Sequence, residues 1–224
     1  MGRRSLALGL ALAAAAALAT GALAVSSFDV QANNPQVAGD SASNTTARFP
    51  TNKSNEPSIA VNPTNSDFLV AGANDEQLQP PCGPGPVRGA DVARSDCSFF
   101  PGVGTDGVYT SSDGGATWAN RGLLPGFSDT GGALVSDGDP ELVYGPEPTG
   151  SGGFTFAHGA RLYYAGLASG ASGFEQGNQA PEFLTVSRSD DNGASWSNPV
   201  VAVDGHGFNF NDHPEIWADR KSVV

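Results

Sequence analysis

Acidic side chains recur beside prolines at three places in the chain, and carboxylates grouped in this way could bind a cation or transfer protons. The three stretches are NEP at residues 55–57, GDPE at residues 138–141 and DHPE at residues 212–215. Their acids are Glu56, Asp139, Glu141, Asp212 and Glu215. If the segment after each proline forms the innermost strand of a repeated unit, these carboxylates lie around one channel mouth. Such a ring suits a positively charged ligand such as Ca2+, although an acid before proline can also serve only to fix the start of a strand.

Histidines add no recognisable metal site to these acids. His158, His206 and His213 are scattered along the chain and lack the spacing of metal ligands. The sequence therefore leaves the identity of any bound metal open.

A second pattern, Ser-x-Asp-x-Gly-x-Thr/Ser-Trp, occurs as SSDGGATW at residues 111–118 and as SDDNGASW at residues 189–196. Asp can accept hydrogen bonds from amides of its own turn, Gly permits a positive φ, and Trp can fold back over the gap beneath a hairpin. We therefore predict two self-contained hairpin turns. Their pattern residues are Ser111, Asp113, Gly115, Thr117, Trp118, Ser189, Asp191, Gly193, Ser195 and Trp196.

Short strands are expected to position these residues. The chain has 30 glycines and 16 prolines, and its mature part lacks any sustained helical periodicity. These features predict an all-β chain, with strands near residues 58–61, 68–71, 107–110, 142–144, 162–165, 183–186 and 199–203. The two turns lie 78 residues apart, which indicates a four-stranded unit in the order strand, strand, turn hairpin, strand, as in a propeller blade.

At these residues the chain resembles a known family. The two turns are similar to the Asp-box, or bacterial neuraminidase repeat, and residues 55–75, 107–118 and 212–219 resemble secreted bacterial sialidase-like β-propellers. The resemblance covers about residues 48–219. It implies a partial β-propeller of sialidase type in residues 51–224, with about two four-stranded blades and the start of a third, after a polar lead-in at residues 25–50. Because propellers close with about four to eight blades, we expect the N-terminal part of a larger protein.

The resemblance also implies a catalytic plan. Sialidases hold the substrate carboxylate with three arginines, use a Tyr backed by a Glu as nucleophile and use an Asp as acid/base. Their first arginine lies in a Phe-Arg-Ile-Pro-like motif, which has two possible registers here: Arg48 in ARFP, or the NEP stretch, where Asn55 replaces the arginine. Asp75 is the candidate acid/base, although capping of a turn would also explain it. The other arginines and the Tyr/Glu pair belong to later blades of the family.

The function that the resemblance implies is that of a secreted exo-α-sialidase, a glycoside hydrolase that releases terminal sialic acids from glycoconjugates. We expect these 224 residues to be inactive alone. One alternative is a noncatalytic Asp-box propeller that binds glycans or proteins at the cell surface, and a weaker one is another glycosidase that uses paired acids. The net charge of −12 opposes binding to nucleic acid or to an anionic membrane.

The N-terminus predicts export. Residues 1–24 combine a basic start, an apolar stretch and the small-x-small triplet ALA, which is typical of a secretory signal peptide, although a membrane anchor shares some of these features. Cleavage would leave an extracellular protein without membrane contact. Cys82 and Cys97 are the only cysteines, and an even number in an exported chain favours a disulfide between them.

Overall fold

The computed structural model describes residues 29–33, 54–76, 104–127, 134–170, 182–205 and 211–219. These residues form eight β-strands and contain no α-helix, so the described part of the chain is all-β, as the composition predicts. The strands are β1 (Ser54–Val61), β2 (Leu69–Asp75), β3 (Asp106–Ser111), β4 (Ala119–Leu123), β5 (Leu134–Pro148), β6 (Phe154–Gly170), β7 (Glu182–Ser189) and β8 (Val200–Val203).

The strands form two four-stranded antiparallel sheets in which each strand pairs with the next along the chain. Sheet 1 has the order β1-β2-β3-β4 and sheet 2 the order β5-β6-β7-β8. Short turns join β1 to β2, β3 to β4 and β5 to β6. In the β1–β2 turn, for example, the Asn62 side chain accepts the Thr64 amide at 2.8 Å. All seven strand segments predicted from the sequence overlap these strands.

Equivalent irregularities interrupt the first strand of each sheet. The register of β1 shifts between Asn55 and Ser58, and that of β5 shifts on both sides of Gly138. These are the first two acid–proline stretches of the sequence. Bulges of this kind bend a strand and change the direction of its side chains, so they place the acids apart from the regular ladder.

The hydrophobic core lies between the two sheets. Leu142, Tyr144, Leu162 and Tyr164 of sheet 2 are buried with Val70 and Val108 of sheet 1, and Ala60, Leu124, Phe127, Ala160 and Ala168 complete the cluster. The sheets approach closely at Gly72, because a Cβ at that position would lie 2.8 Å from atoms of both Leu142 and Tyr164. Polar contacts fix their alignment: the Tyr164 hydroxyl donates to the Gly107 carbonyl at 3.1 Å, and the Leu142 amide donates to Ser58 Oγ at 3.0 Å.

The segment after Pro214 differs from the prediction. The sequence predicts a third apolar strand there, but residues 211–219 contain no strand. A β-strand needs a neighbour for its backbone amide and carbonyl groups, and none of the eight described strands pairs with this segment. The segment instead lies against sheet 2, where Ile216 and Trp217 border a cavity with Val143, Phe154 and Tyr163.

Candidate functional site

Three strained backbone positions mark the acid–proline stretches. Glu56, Asp139 and His213 have φ values of 51°, 52° and 47°, and each directly precedes a proline. Residues other than glycine rarely adopt positive φ, and a residue before proline is normally extended, so each position stores about 1–3 kcal/mol of strain. The three stretches therefore share one unusual backbone conformation, although the third is not part of a strand.

These stretches meet at one acidic cavity of about 250 Å³. It is lined by Glu56, Pro57, Asp139, Pro140, Glu141, His213, Pro214 and Glu215. Asp212 adjoins it, because its carboxylate interacts directly with that of Asp139. The structure thus brings together the five acids that the sequence places around a channel mouth.

Asn74 connects two of the strained acids. Its Nδ2 donates to Glu56 Oε2 at 2.5 Å and to Asp139 Oδ1 at 3.4 Å, and its Oδ1 accepts the Asp139 amide at 2.6 Å. Gly138 leaves room for this contact, since a Cβ there would lie 2.5 Å from Asn74 Oδ1. Asn74 is almost fully buried and therefore acts as a fixed bridge between β2 and β5. Sequence reasoning missed it, because an Asn beside a turn is ordinary.

The closely spaced carboxylates of the acidic cavity favour either protonation of one of them or binding of a cationic ligand. Burial raises the pKa of Asp139 and the neighbouring Glu56 adds to this, whereas contacts with Asp212 and Asn74 oppose it. Asp139, Asp212 and His213 place their ligand atoms within 4.8 Å of one another, and such a set could hold a divalent cation. An imidazole is not a ligand that Ca2+ prefers, so these three groups do not single out the Ca2+ suggested by the sequence.

Asp75, the candidate acid/base, lies inside the protein. It is only 3% exposed and accepts a hydrogen bond from the Tyr109 hydroxyl. Burial raises the pKa of Tyr109, and the Asp75 carboxylate adds to the increase. Asp75 does not line the acidic cavity, although its neighbour Asn74 contacts two of the cavity acids.

Asp106 is a second buried carboxyl group, which the sequence does not reveal. It has no exposed surface, and neither of its oxygens reaches hydrogen-bond geometry with a group in the described part of the chain. Burial raises its pKa well above the usual range, the Gly138 backbone opposes the shift, and Asp137 and Asp139 add to it. Its Oδ2 lies 2.6 Å from where a Cβ of Gly166 would be, so this glycine makes space for the carboxyl group. The neutral acid is the form that this environment favours.

The two turns with the Ser-x-Asp-x-Gly-x-Thr/Ser-Trp pattern have the same hydrogen bonds. In the first turn the Asp113 carboxylate accepts the Ser111 hydroxyl at 2.8 Å, the Thr117 amide at 2.9 Å and the Thr117 hydroxyl at 2.5 Å. In the second, Asp191 accepts the Ser189 hydroxyl, the Ser195 amide and the Ser195 hydroxyl at 2.8, 2.8 and 2.5 Å. Each turn joins the third and fourth strands of its sheet.

These contacts hold both aspartates in the ionised form. The Thr117 hydroxyl is the largest cause that lowers the pKa of Asp113 to about 2, and the Thr117 amide and Ser111 hydroxyl add to it. The pKa of Asp191 is also lowered: burial acts to raise it, but the hydrogen bonds from Ser195 and Ser189 together outweigh burial.

The two pattern tryptophans have different surroundings. Trp196 packs against the core, and its ring meets that of Tyr164 edge-on, with centroids 5.7 Å apart and planes at 87°. Trp118 folds back over its own turn, where its Nε1 donates to the Gly115 carbonyl at 3.1 Å. Only Trp196 therefore joins the core that both sheets share.

The described arginines lie away from the acidic cavity. Arg161 makes a bidentate ion pair with Asp190, with distances of 2.6 and 2.7 Å, while Arg121 and Arg188 border other parts of the surface. None of these three lines the cavity. Arg48, Cys82, Cys97 and residues 1–24 lie outside the described residues, so the predictions on them stay predictions.

Comparisons with known proteins add no family assignment. No protein-family model matches the chain, and no curated protein matches it significantly. The part of the chain that the structure describes has no helix long and apolar enough to cross a membrane. Any functional proposal therefore rests on the residues and the geometry given above.

Proposed function

We propose that the two sheets are neighbouring blades of a β-propeller of the sialidase type. Both sheets are four-stranded meanders, both carry an Asp-box between their third and fourth strands, and both begin with a strained acid–proline stretch. Their first strands lie side by side, as the hydrogen bond between the Leu142 amide of β5 and Ser58 Oγ of β1 illustrates. Further blades, which a propeller needs for closure, would pack against sheet 2.

The function that we propose is that of an exported glycoside hydrolase of exo-α-sialidase type, in which these two blades form part of the catalytic domain. The observation that carries this proposal is the duplicated Asp-box, with the same carboxylate contacts in two equivalent hairpins. Terminal sialic acids of glycoconjugates would be its substrates. The buried Asp75–Tyr109 pair lies next to Asn74, which reaches the acidic cavity, so Asp75 is close to the place where the first strands of the blades converge.

A second candidate function is noncatalytic binding of glycans or proteins at the cell surface. Two observations favour it: Asn55 stands where the family has its first arginine in the NEP register, and no described arginine lines the acidic cavity. Sialic acid carries a carboxylate, which a group of five acids repels unless arginines outnumber them.

Hydrolysis of a fluorogenic sialic acid glycoside tests the first proposal. We expect no turnover by these 224 residues alone, because the proposed family assigns the Tyr/Glu pair and two of its arginines to blades after the two described here. A longer parent protein that contains further blades is expected to turn over the substrate. In that parent Asp75→Ala should abolish turnover, whereas Asp67→Ala, a change at an exposed acid, should not.

The possible results separate the two functions. A folded parent protein without turnover that still binds a glycan array would support the binding function and contradict the hydrolase. Turnover by the 224-residue chain at a rate similar to that of a complete sialidase would refute the expected inactivity.

A further inference from the structure

A groove of about 280 Å³ lies between the two Asp-box turns. Phe68 and Trp118, which directly precede β2 and β4, line one side with Arg121 of β4, and Asp191 and Asn192 of the second turn line the other. The groove and the acidic cavity share no lining residue. Its volume is close to the lower end of the range for small-molecule pockets, about 300 Å³, which is sufficient for one sugar ring.

Polar groups in the groove retain unused hydrogen-bonding capacity. Arg121 donates from Nε to Thr110 Oγ1 at 2.8 Å, but its two terminal amino groups have no partner in the described part of the chain. Asn192 Oδ1 accepts from Asn62 at 2.7 Å and from Tyr144 at 3.0 Å, which orients its Nδ2 donor away from these two contacts. Arg121 and Asp191 line the same groove without forming an ion pair. A ligand between them would meet donors on one side and a carboxylate on the other.

An aromatic surface accompanies these polar groups. The Trp118 ring is half-buried, and its only polar atom is already bonded to the Gly115 carbonyl, so the rest of the ring is an apolar platform of fixed orientation. Phe68 extends the apolar side of the groove. A pyranose has the complementary form, because one face consists of C–H groups while its rim carries hydroxyls that donate and accept.

We propose that this groove is a noncatalytic subsite for a neutral hexopyranose residue of a glycan. Adjacent sugar hydroxyls would accept from the terminal amino groups of Arg121, with the sugar ring against Trp118 and the Asp191 carboxylate, already occupied within its own turn, on the opposite side. An acidic sugar fits less well, because its carboxylate would face the ionised Asp191. This proposal rests on the proposed function in one respect, since glycans are taken from it as the class of ligand.

Titration of the full chain with simple sugars tests the subsite. The probes are the methyl glycosides of glucose, galactose and mannose, with N-acetylneuraminic acid as the acidic comparison. The readout is the indole N–H resonance of Trp118, assigned by its loss in Trp118→Phe, with Trp217 as the internal reference because that ring is 87% exposed and lies outside the groove. We expect at least one neutral glycoside to shift the Trp118 resonance saturably and to leave Trp217 unchanged.

Arginine variants decide whether the groove itself binds the sugar. Arg121→Ala removes a charged hydrogen bond to the sugar and should weaken affinity about tenfold. Arg121→Lys keeps the positive charge but not the paired amino groups of the guanidinium, so it should weaken affinity less. Arg188→Ala is the matched control, since Arg188 is exposed in β7 outside the groove. Circular dichroism checks that each variant is folded.

Three results would overturn the subsite: no neutral glycoside shifts the Trp118 resonance, N-acetylneuraminic acid binds more tightly than all of them, or Arg121→Ala and Arg188→Ala have equal effects. None of these measurements uses turnover. The subsite can therefore fail while a longer parent protein still hydrolyses sialosides, and it can hold in a protein without any hydrolase activity.

Discussion

Replacing Trp196 by alanine is expected to lower the free energy of unfolding by about 3 kcal/mol. Truncation of a buried Trp costs about 3–5 kcal/mol, and an edge-on aromatic pair adds about 0.5–1.5 kcal/mol beyond buried area. Trp196 is partly exposed, which places it at the lower end of that range, but it contacts Tyr164, which has no exposed surface. The loss is therefore expected to weaken the core between the sheets and not only the local turn.

The two other tryptophans provide matched comparisons. Trp118→Ala should cost about 1–2 kcal/mol, because this half-exposed ring packs mainly on its own turn. Trp217→Ala should change stability by less than about 0.5 kcal/mol, since that side chain is 87% exposed. Urea unfolding followed by far-ultraviolet circular dichroism measures all three, provided that the slope of free energy against urea is unchanged. Equal unfolding midpoints for Trp196→Ala and Trp217→Ala would refute the role of Trp196 in the core.

Three further predictions concern charge and processing. Asp106→Asn should raise the free energy of unfolding at neutral pH, as measured in urea. The raised native pKa of Asp106 makes stability fall as pH rises above about 3.9, and the neutral amide removes that dependence. Equal pH profiles of stability for the two proteins would contradict this. Asp113→Asn should lower the stability of the protein at neutral pH. The difference in stability from the unchanged protein should disappear as pH falls from about 4 to the native pKa of Asp113, about 2, whereas Ser112→Ala should show no such pH dependence. Intact mass of exported protein should show loss of residues 1–24 and a Cys82–Cys97 bridge, and two free thiols would exclude the bridge.

Local sequence predicts much of this fold because its strands and turns are specified locally. Asp113 and Asp191 find their hydrogen-bond partners within four residues, so the turn pattern contains nearly all the information that its geometry requires. The strand segments are equally local, since each short β-rich run ends at a turn residue. The convergence of the acids also follows from the repeat, because equivalent residues of equivalent units occupy equivalent positions.

Contacts between the sheets explain what sequence reasoning missed. Asp106 follows Thr105 and precedes Gly107, so it resembles an ordinary turn residue, and only packing against Gly166 of sheet 2 makes it a buried acid. Asn74 likewise gains its role from Asp139, 65 residues further along the chain. The prediction of a strand after Pro214 was wrong for a related reason. An apolar pattern shows which side chains can be buried, but it does not supply a partner strand for the backbone.

In the second and third acid–proline stretches, contacts from the preceding repeat hold the strained backbone, and the acid of the stretch itself is not what fixes it. His213 adopts nearly the same φ as Glu56 and Asp139, so a carboxylate at that position is not required for the backbone to take this form. Instead, the Asp139 amide donates to the Asn74 side chain at 2.6 Å, and the His213 amide donates to the Asp139 carboxylate at 3.4 Å. The strained amides of the second and third stretches thus find their acceptors on side chains from the repeat before. Because strain persists only where surrounding contacts over-determine it, these two bonds couple the acidic cavity to the packing of one repeat on the next.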